Sequence, residues 1–313
     1  MSEVVLQAVG LSKRFGSLTA VDDLSLEVRA GEIFGLLGPN GAGKTTTISM
    51  LCGLLRPDAG EVRVHGEVLR ADGDAVRTRV GICPQQIVVW RDLGCLEQLA
   101  YVGRLYGLRA REAQDRGRRL LGALGLEGRA RDPARVLSGG MQRRLNIALA
   151  LVHEPSIVVL DEPEAGLDPQ SRVLVRDFIR GQARQRTVLV TTHNMDEAER
   201  VSDRVAIIDH GRLLALDTPE ALKGRVGPGD VLELTFPPGA TDLEAARAGV
   251  APLVDQASLR GETLVVRAAS MAPRLAGLLE RLDGMGRVPV EVRLRPNTLE
   301  DVFLSLTGRG LRE

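Results

Sequence analysis

Short uncharged runs and helix-spaced apolar positions alternate along the first two thirds of the chain. The runs at Ile33–Leu37, 156–160 and Thr187–Thr192 carry no charge, which is typical of strands buried on both faces of a parallel sheet. Residues 46–55 space their apolar side chains like a helix that ends before Pro57. The pattern therefore predicts an α/β domain built on a buried parallel sheet.

Two regions of this domain do not alternate uncharged strand-like runs with helical segments. Residues 4–28 predict strands of a β-rich edge, whereas residues 86–155 predict a helical subdomain. Within that subdomain, 96–108 and 112–124 have apolar faces with arginines opposite. Acidic residues interleave with these arginines and aromatics are scarce, so a solvated face is favoured over a nucleic-acid surface.

The last third of the chain has a different pattern, which begins near residue 226. Gly227, Pro228 and Gly229 predict a linker, and Thr218 with Pro219 predicts the start of a helix just before it. Alternating apolar and polar positions then predict three half-buried strands and one helix, at 231–236, 263–268, 288–294 and 274–282 respectively. We therefore predict two domains, an α/β domain at 1–225 and a small α+β domain at 226–313.

Composition narrows the class of protein. The 313 residues carry 41 basic and 41 acidic side chains, so no strong field favours nucleic acid or anionic lipid. No apolar run approaches the ~18 residues that span a bilayer, and the start MSEVVLQ lacks a secretory pattern. Cys52, Cys83 and Cys95 have no metal-site spacing, which favours reduced thiols. These features predict a cytoplasmic polypeptide.

A phosphate-binding motif follows the first uncharged run. GPNGAGKTT matches G-x-x-x-x-G-K-[ST] and lies between a predicted strand and a predicted helix, as the motif requires. We expect its backbone amides to surround the phosphates of ATP, Lys44 to reach the β- and γ-phosphates, and Thr45 to bind Mg²⁺. The nucleotide-binding segment comprises Gly38, Pro39, Asn40, Gly41, Ala42, Gly43, Lys44, Thr45 and Thr46.

An acidic pair ends the second uncharged run. Asp161 and Glu162 follow residues 156–160, and the carboxyl ends of parallel strands meet at one edge of a sheet. We therefore expect the pair to lie beside the phosphate loop. Asp161 would hold Mg²⁺, and Glu162 would act as the general base toward the attacking water.

A third motif decides the family. The segment LSGGMQ places a serine hydroxyl and two glycines at the start of a predicted helix, which creates an anion site. With the two motifs above, it resembles the signature of ATP-binding cassette (ABC) ATPases. The resemblance implies that this segment caps the γ-phosphate on a second subunit, in residues Leu137, Ser138, Gly139, Gly140, Met141 and Gln142.

Four further residues take roles from this resemblance. Gln85 resembles the glutamine that contacts Mg²⁺ and the water, and we choose it over the adjacent Gln86 because it directly follows a proline. His193 resembles the histidine that touches the γ-phosphate, and Asp168 resembles an aspartate at the dimer seam. Phe15 resembles the aromatic that stacks on adenine; the competing interpretation is a core phenylalanine in a hairpin.

The end of the chain specifies the resemblance further. TTHNMDEAE and LEDVFL are typical of the drug-resistance-type, ABC-2 exporter ATPases, and Thr298 caps an amphipathic helix that presents Leu299, Val302, Phe303 and Leu306. The resemblance implies a P-loop NTPase core with a β-rich edge, a helical subdomain and a small α+β domain. It also implies an ATPase that closes as a dimer with itself or a paralogue to power export through a separate permease.

The same resemblance implies a peripheral position on the cytoplasmic face of the cell membrane, through the permease alone. The alternative is a soluble ABC-type ATPase that acts on nucleic acid or the ribosome. That alternative would require a long coiled coil or a second cassette, and the sequence contains neither.

Overall fold

The computed structural model describes residues 3–69, 79–183, 185–225, 229–240 and 242–307. The chain forms two compact units, of which the first ends at Pro219 and the second begins at Glu220. The boundary at 225/226 stays a prediction. Gly227 and Pro228 of the predicted linker, and the last two residues of the segment RPNTLEDVFLSLTGR, lie outside the described residues.

An antiparallel sheet forms the β-rich edge of the first unit. Its strands follow the order β2-β1-β4-β5, with bounds Val4–Phe15 for β1, Leu18–Arg29 for β2, Ala59–Val64 for β4 and Glu67–Val68 for β5. Leu6 pairs with Val28 and Ala8 pairs with Leu26 across β1 and β2, and all four side chains are buried. This register turns one apolar face of the long hairpin toward the core.

The central sheet is parallel apart from one edge strand. Its order is β10-β9-β3-β8-β7-β6, with bounds Ile33–Leu37 for β3, Val80–Cys83 for β6, Ile157–Asp161 for β7, Thr187–Thr192 for β8, Arg204–Asp209 for β9 and Arg212–Asp217 for β10. Only β10 runs antiparallel, against β9. Strands β3 and β8 have the predicted bounds, and β7 lies one residue later than predicted.

Helices cover both faces of this sheet. Their bounds are Lys44–Leu51 for α1, Cys95–Leu105 for α2, Ala110–Ala123 for α3, Gly139–Leu151 for α4, Pro169–Gln182 for α5 and Met195–Val201 for α6. Helix α7, at Pro219–Arg225, begins at the boundary between the two units and lies almost wholly in the second. In β7, Val158 and Leu160 pack into the core that contains α2 to α5, while Ile157 and Val159 pack into the core under β1, β2 and α1. Burial on both faces explains why the strand is continuously apolar.

Helix α1 differs from the predicted span of 46–55. It begins at Lys44 and its last helical residue is Leu51. Gly53 adopts φ +69°, and the amides of Gly53 and Leu54 donate to the carbonyls of Met50 and Ser49. This is a Schellman C-cap, which needs a left-handed residue after the helix and ends it before Leu55. The apolar spacing therefore continues past the end of the helix.

The second unit contains one antiparallel sheet, ordered β12-β13-β11-β14. Its elements are β11 at Asp230–Thr235, α8 at Leu243–Val250, β12 at Gln256–Arg260, β13 at Thr263–Ala268, α9 at Leu275–Gly284, β14 at Glu291–Pro296 and α10 at Leu299–Thr307. The three predicted strands are present, although β14 begins three residues later than the predicted 288. Strand β12 and helix α8 were not predicted.

The α/β fold class is confirmed by this architecture. Among the described residues, no helix combines the length and apolar character needed to span a membrane.

Candidate functional site

Four neighbouring strands deliver their following residues to one edge of the central sheet. The phosphate loop follows β3, Gln85 follows β6, Glu162 follows β7 and His193 follows β8. These strands are adjacent and parallel, so their carboxyl ends meet there. The topology therefore brings together residues separated by more than a hundred positions in sequence.

The phosphate loop is held closed by its own lysine. The ammonium of Lys44 donates to the carbonyl of Gly38 at 2.8 Å and to that of Pro39 at 3.1 Å. Two glycines are sterically required here: a Cβ at Gly38 would lie 2.4 Å from the carbonyl oxygen of Ile208, and Gly43 has φ +97°. Burial lowers the pKa of Lys44, and the nearby carboxylate of Glu162 opposes this effect.

Asp161 lies beside the start of α1. Its Oδ2 accepts a hydrogen bond from the Thr45 hydroxyl at 3.3 Å, and its Oδ1 accepts one from the Thr191 hydroxyl on β8. The Asp161 carboxylate, the Thr45 hydroxyl and the amide oxygen of Gln85 are the oxygen donors that a hard cation such as Mg²⁺ prefers. These three residues fit a magnesium ion.

Three other side chains of the site contact the carboxylate of Glu162. Its Oε1 lies 2.9 Å from His193 Nδ1 and 3.7 Å from Lys44 Nζ, while its Oε2 accepts from Gln85 Nε2 at 3.1 Å. The backbone of Glu162 has φ +48°, and its amide donates to the carbonyl of Thr191 at 3.1 Å. A non-glycine residue in this conformation is uncommon and turns the side chain away from the strand direction. Gln85, rather than Gln86, has its side-chain amide on Glu162.

A cleft of about 350 Å³ opens over the phosphate loop. Phe15 is half-exposed at its rim, so it is not the buried core residue of the competing interpretation. The cleft is lined by Phe15, Leu18, Thr19, Ala20, Asn40, Gly41, Gly43, Lys44, Thr45, Thr46, Gln85, Glu162 and His210. The glycine-rich loop, the Lys44 ammonium and the Phe15 ring at the rim fit a nucleoside triphosphate.

Sequence analysis did not predict that this cleft would also be lined by Leu18, Thr19, Ala20 and His210. Leu18 pairs with Phe15 in the β1–β2 hairpin. The turn after β9 carries His210, and the amide of the next residue, Gly211, donates to the carbonyl of Ala42 at 3.0 Å. Both placements come from turns that dock on the loop, and no motif records such docking.

The signature segment is not part of this cleft within its own chain. Ser138 caps α4, since its hydroxyl accepts from the Met141 amide at 3.3 Å, and both Ser138 and Gly139 are exposed. The Gln142 side-chain amide donates to the carbonyls of Ala134 and Leu137 at 2.9 and 3.3 Å. The segment is therefore a rigid, exposed helix start that presents a hydroxyl and bare backbone outward.

Asp168 and Glu164 have defined partners near the start of α5. Asp168 caps the helix by accepting from the amide and hydroxyl of Ser171 at 2.9 and 2.7 Å. These hydrogen bonds lower the pKa of Asp168. Sequence analysis assigned no role to Glu164. Its buried carboxylate accepts two hydrogen bonds from the Arg176 guanidinium, at 2.9 and 3.1 Å.

Comparison with known proteins identifies the family. The ABC transporter family matches residues 21–165. "Nod factor export ATP-binding protein I" of Ralstonia nicotianae is 42% identical over 313 residues, which cover 100% of this chain and 96% of that protein. The chain belongs to the ABC transporter ATP-binding proteins. The protein of the same description in Paraburkholderia xenovorans is 41% identical over 314 residues, and the alignment covers 100% of each chain.

Solved structures agree with this ABC ATPase fold. An ATP-binding subunit of an ABC transporter has a TM-score of 0.66 at 30% identity, covering 71% of this chain and 93% of that chain. A dimeric ATP-binding cassette in a post-hydrolysis state with ADP and Pi has a TM-score of 0.63 at 24% identity, covering 68% and 98% respectively. The second likeness shows the fold alone.

The comparisons confirm the prediction of an ATP-binding ABC ATPase that couples hydrolysis to transport, and membership of this family implies a membrane permease as partner. They also agree with the expected exporter type. Neither the family match nor the full-length relatives favour an ATPase that acts on nucleic acid or the ribosome.

Proposed function

We propose that this ABC ATPase powers export, with hydrolysis centred on Glu162. The observation that carries the proposal is the convergence of Gln85, His193 and Lys44 on that one carboxylate within 3.7 Å. The full-length relatives are named export ATP-binding proteins, which supports the direction of transport.

Hydrolysis requires a base, an orienting group and charge neutralisation around the γ-phosphate. Glu162 accepts the proton of the attacking water, and Gln85 and His193 hold its carboxylate in place. Lys44 and the loop amides bind the phosphates, and Phe15 stacks on the base at the rim. When bound, Mg²⁺ on Thr45, Asp161 and Gln85 would neutralise phosphate charge.

The site is completed by a second subunit, either another copy or a paralogue. Ser138 and Gly139 are exposed and lie away from the cleft of their own chain, so they are free to contact a γ-phosphate held opposite. Asp168, exposed at the start of α5, would lie at the same seam. ATP closes this pair and hydrolysis reopens it.

A groove of about 650 Å³ provides a docking place for the permease. It lies between the central sheet and the helical subdomain, and its apolar wall includes Val88 at 57% and Trp90 at 44% exposure. Across from them, His153 stacks on Tyr106 with ring centroids 3.8 Å apart. Exposed aromatic and aliphatic side chains beside a groove suit an amphipathic helix of a membrane partner. The ATPase would then be peripheral on the cytoplasmic face of the membrane.

Membrane recruitment tests this assignment. The chain is produced with and without its partner permease, and membranes, ribosomes and supernatant are separated. We expect the chain in the membrane fraction only with the permease, and ATP hydrolysis there to depend on Lys44. Co-sedimentation with ribosomes or nucleic acid, independent of the permease, would contradict the export function.

A further inference from the structure

Strand β14 leaves an apolar stripe uncovered at the edge of the second unit's sheet. Val290 immediately precedes β14, and Val292 and Leu294 lie within it; these side chains are 67%, 43% and 42% exposed. Strand β14 pairs with β11 on one side, and no other described strand pairs with its second side. The strand therefore has a free backbone edge beside a row of exposed aliphatic side chains.

The stripe lies on the face of the sheet that is buried elsewhere. Leu294 pairs with Leu232 and Val292 pairs with Leu234, and both β11 side chains are fully buried in the core formed with α8 and α9. The β14 side chains are outside this core. The helix layer thus stops at β11, and the apolar face continues one strand further without cover. An exposed apolar row beside a free backbone edge is an arrangement that favours pairing with another strand.

The stripe has charged neighbours that form no ion pair among the described residues. Glu291 and Arg293 point to the opposite face from Val292, and both are exposed. Two residues apart on one strand, they carry opposite charges. Antiparallel pairing of two such strands about Val292 places Glu291 of each copy opposite Arg293 of the other. The same register places Val290 opposite Leu294, and Val292 opposite its own counterpart.

We propose that β14 pairs antiparallel with β14 of a second copy of this chain, centred on Val292. The pairing is isologous, joins the two four-stranded sheets, and forms two ion pairs between Glu291 of one copy and Arg293 of the other. Prolines at 289 and 296 lack amide donors and confine the pairing to the residues between them. So short a contact is weak alone, and self-association without nucleotide is expected only at high protein concentration, on the order of 100 µM.

Cysteine crosslinking tests the register. The native cysteines Cys52, Cys83 and Cys95 are all buried, so they give little background. The intact, nucleotide-free chain carrying Val292→Cys should form a disulfide dimer on mild oxidation, because directly paired Cα atoms lie about 4.5–5.5 Å apart. Val290→Cys alone should not crosslink, but it should do so when mixed with Leu294→Cys.

Two outcomes of that experiment overturn the proposal. One is a Val292→Cys chain that stays monomeric while a maleimide still labels it, which would leave the stripe to the permease or to lipid. The other is crosslinking of Val290→Cys alone as efficient as that of Val292→Cys, which would indicate non-specific contact.

Charge reversal provides an independent test by sedimentation velocity. Glu291→Arg and Arg293→Glu should each weaken nucleotide-free self-association about tenfold, because each places like charges opposite one another twice. The double variant should restore it. Both positions are exposed, so ATP hydrolysis should stay at the wild-type value. Because Arg293→Glu also places a carboxylate opposite Glu233 of β11, thermal unfolding of every variant is measured alongside. If the double variant associates as weakly as the single variants, β14 is not the contact. A lack of ATP hydrolysis in the wild type and in every variant would instead contradict the proposed function.

Discussion

In the proposed mechanism, Glu162 is the general base of this ATPase. Replacing it by glutamine removes the base but leaves the contacts of Lys44 and Thr45, so ATP should still bind. We expect hydrolysis in Glu162→Gln to fall by roughly two orders of magnitude or more. Phosphate release, measured with the permease present if required, and binding of a fluorescent ATP analogue check this separately.

Lys44→Ala provides the contrasting control. Lys44 closes the phosphate loop through Gly38 and Pro39, so its loss should abolish nucleotide binding along with hydrolysis. Wild-type hydrolysis by Glu162→Gln would mean that another group activates the water.

Glu197 introduces a dependence of stability on pH. The side chain is buried, and its Oε2 accepts from the Thr192 hydroxyl at 2.5 Å. Its Oε1 has no hydrogen-bond partner in the described part of the chain. Burial raises its pKa from 4.5 to about 7, and Glu164 adds to the effect. The folded chain therefore binds this proton more tightly than the unfolded chain. Its contribution to stability is complete below the unfolded pKa and is lost as pH rises through about 7.

Glu197→Gln should remove this slope, because its amide can accept from Thr192 and cannot ionise. Thermal unfolding between about pH 5 and pH 8 measures the effect. The matched control is Asp196→Asn, which changes an exposed carboxylate on the same helix. A Glu197→Gln slope equal to that of wild type would show that Glu197 does not cause it.

Individual residues were predictable where a motif fixes the backbone. Lys44 and Asp161 lie where the phosphate motif and the strand-end rule place them. The ion pair of Glu164 with Arg176 and the hydrogen bond of Glu197 with Thr192 were not predicted. Such pairs depend on side-chain directions after folding, which no spacing in the sequence encodes.

At the scale of elements, burial decided which predictions succeeded. Strands β3 and β8 are buried along their whole length, and the apolar run alone gave their bounds. Strand β12 at Gln256–Arg260 is only half-buried at alternate residues and contains two apolar side chains, so its pattern was too weak to detect. Local capping is a second cause of error, because the C-cap at Gly53 ends α1 although the apolar spacing continues.

The segment after β6 carries a prediction about docking. Trp90 is about half-exposed in the groove and contacts Tyr101 edge-to-face at 5.7 Å. Trp90→Ala should impair transport and permease-stimulated hydrolysis, while basal ATP binding persists. Because the side chain is half-exposed, unfolding free energy should change by no more than about 1 kcal/mol. Transport assays and thermal unfolding are measured on the same preparations.

Leu105→Ala is the control for this change, since Leu105 is 65% exposed on α2 and does not line the groove. It should leave transport intact. A destabilisation of Trp90→Ala by about 3–5 kcal/mol would identify Trp90 as a packing residue and remove the support for docking.

At the scale of the whole molecule, the exposed signature predicts nucleotide-dependent assembly. Glu162→Gln should trap a dimer with ATP and dissociate without it, at concentrations too low for association through β14. Adding Ser138→Arg should block this dimer, because a long charged side chain would occupy the seam. Light scattering measures both states.

The control for this prediction is Glu291→Arg in the Glu162→Gln chain, which should leave the ATP-dependent dimer in place. A Glu162→Gln, Ser138→Arg chain that dimerises like its parent would show that Ser138 is not at the interface.

The order of strands also bears on how the chain folds during synthesis. Strand β3 lies between β8 and β9, with Ile33 paired to Val188 and Phe34 paired to Arg204. One edge of this strand can therefore pair only after about 155 further residues have left the ribosome and the other only after about 170, which at about 5–20 residues per second takes roughly 8–34 seconds. During that interval Glu162 is not yet beside the phosphate loop, and the strand that precedes the loop is not yet held by its neighbours. A nascent chain thus exposes both edges of an apolar strand before the residues of the nucleotide site come together.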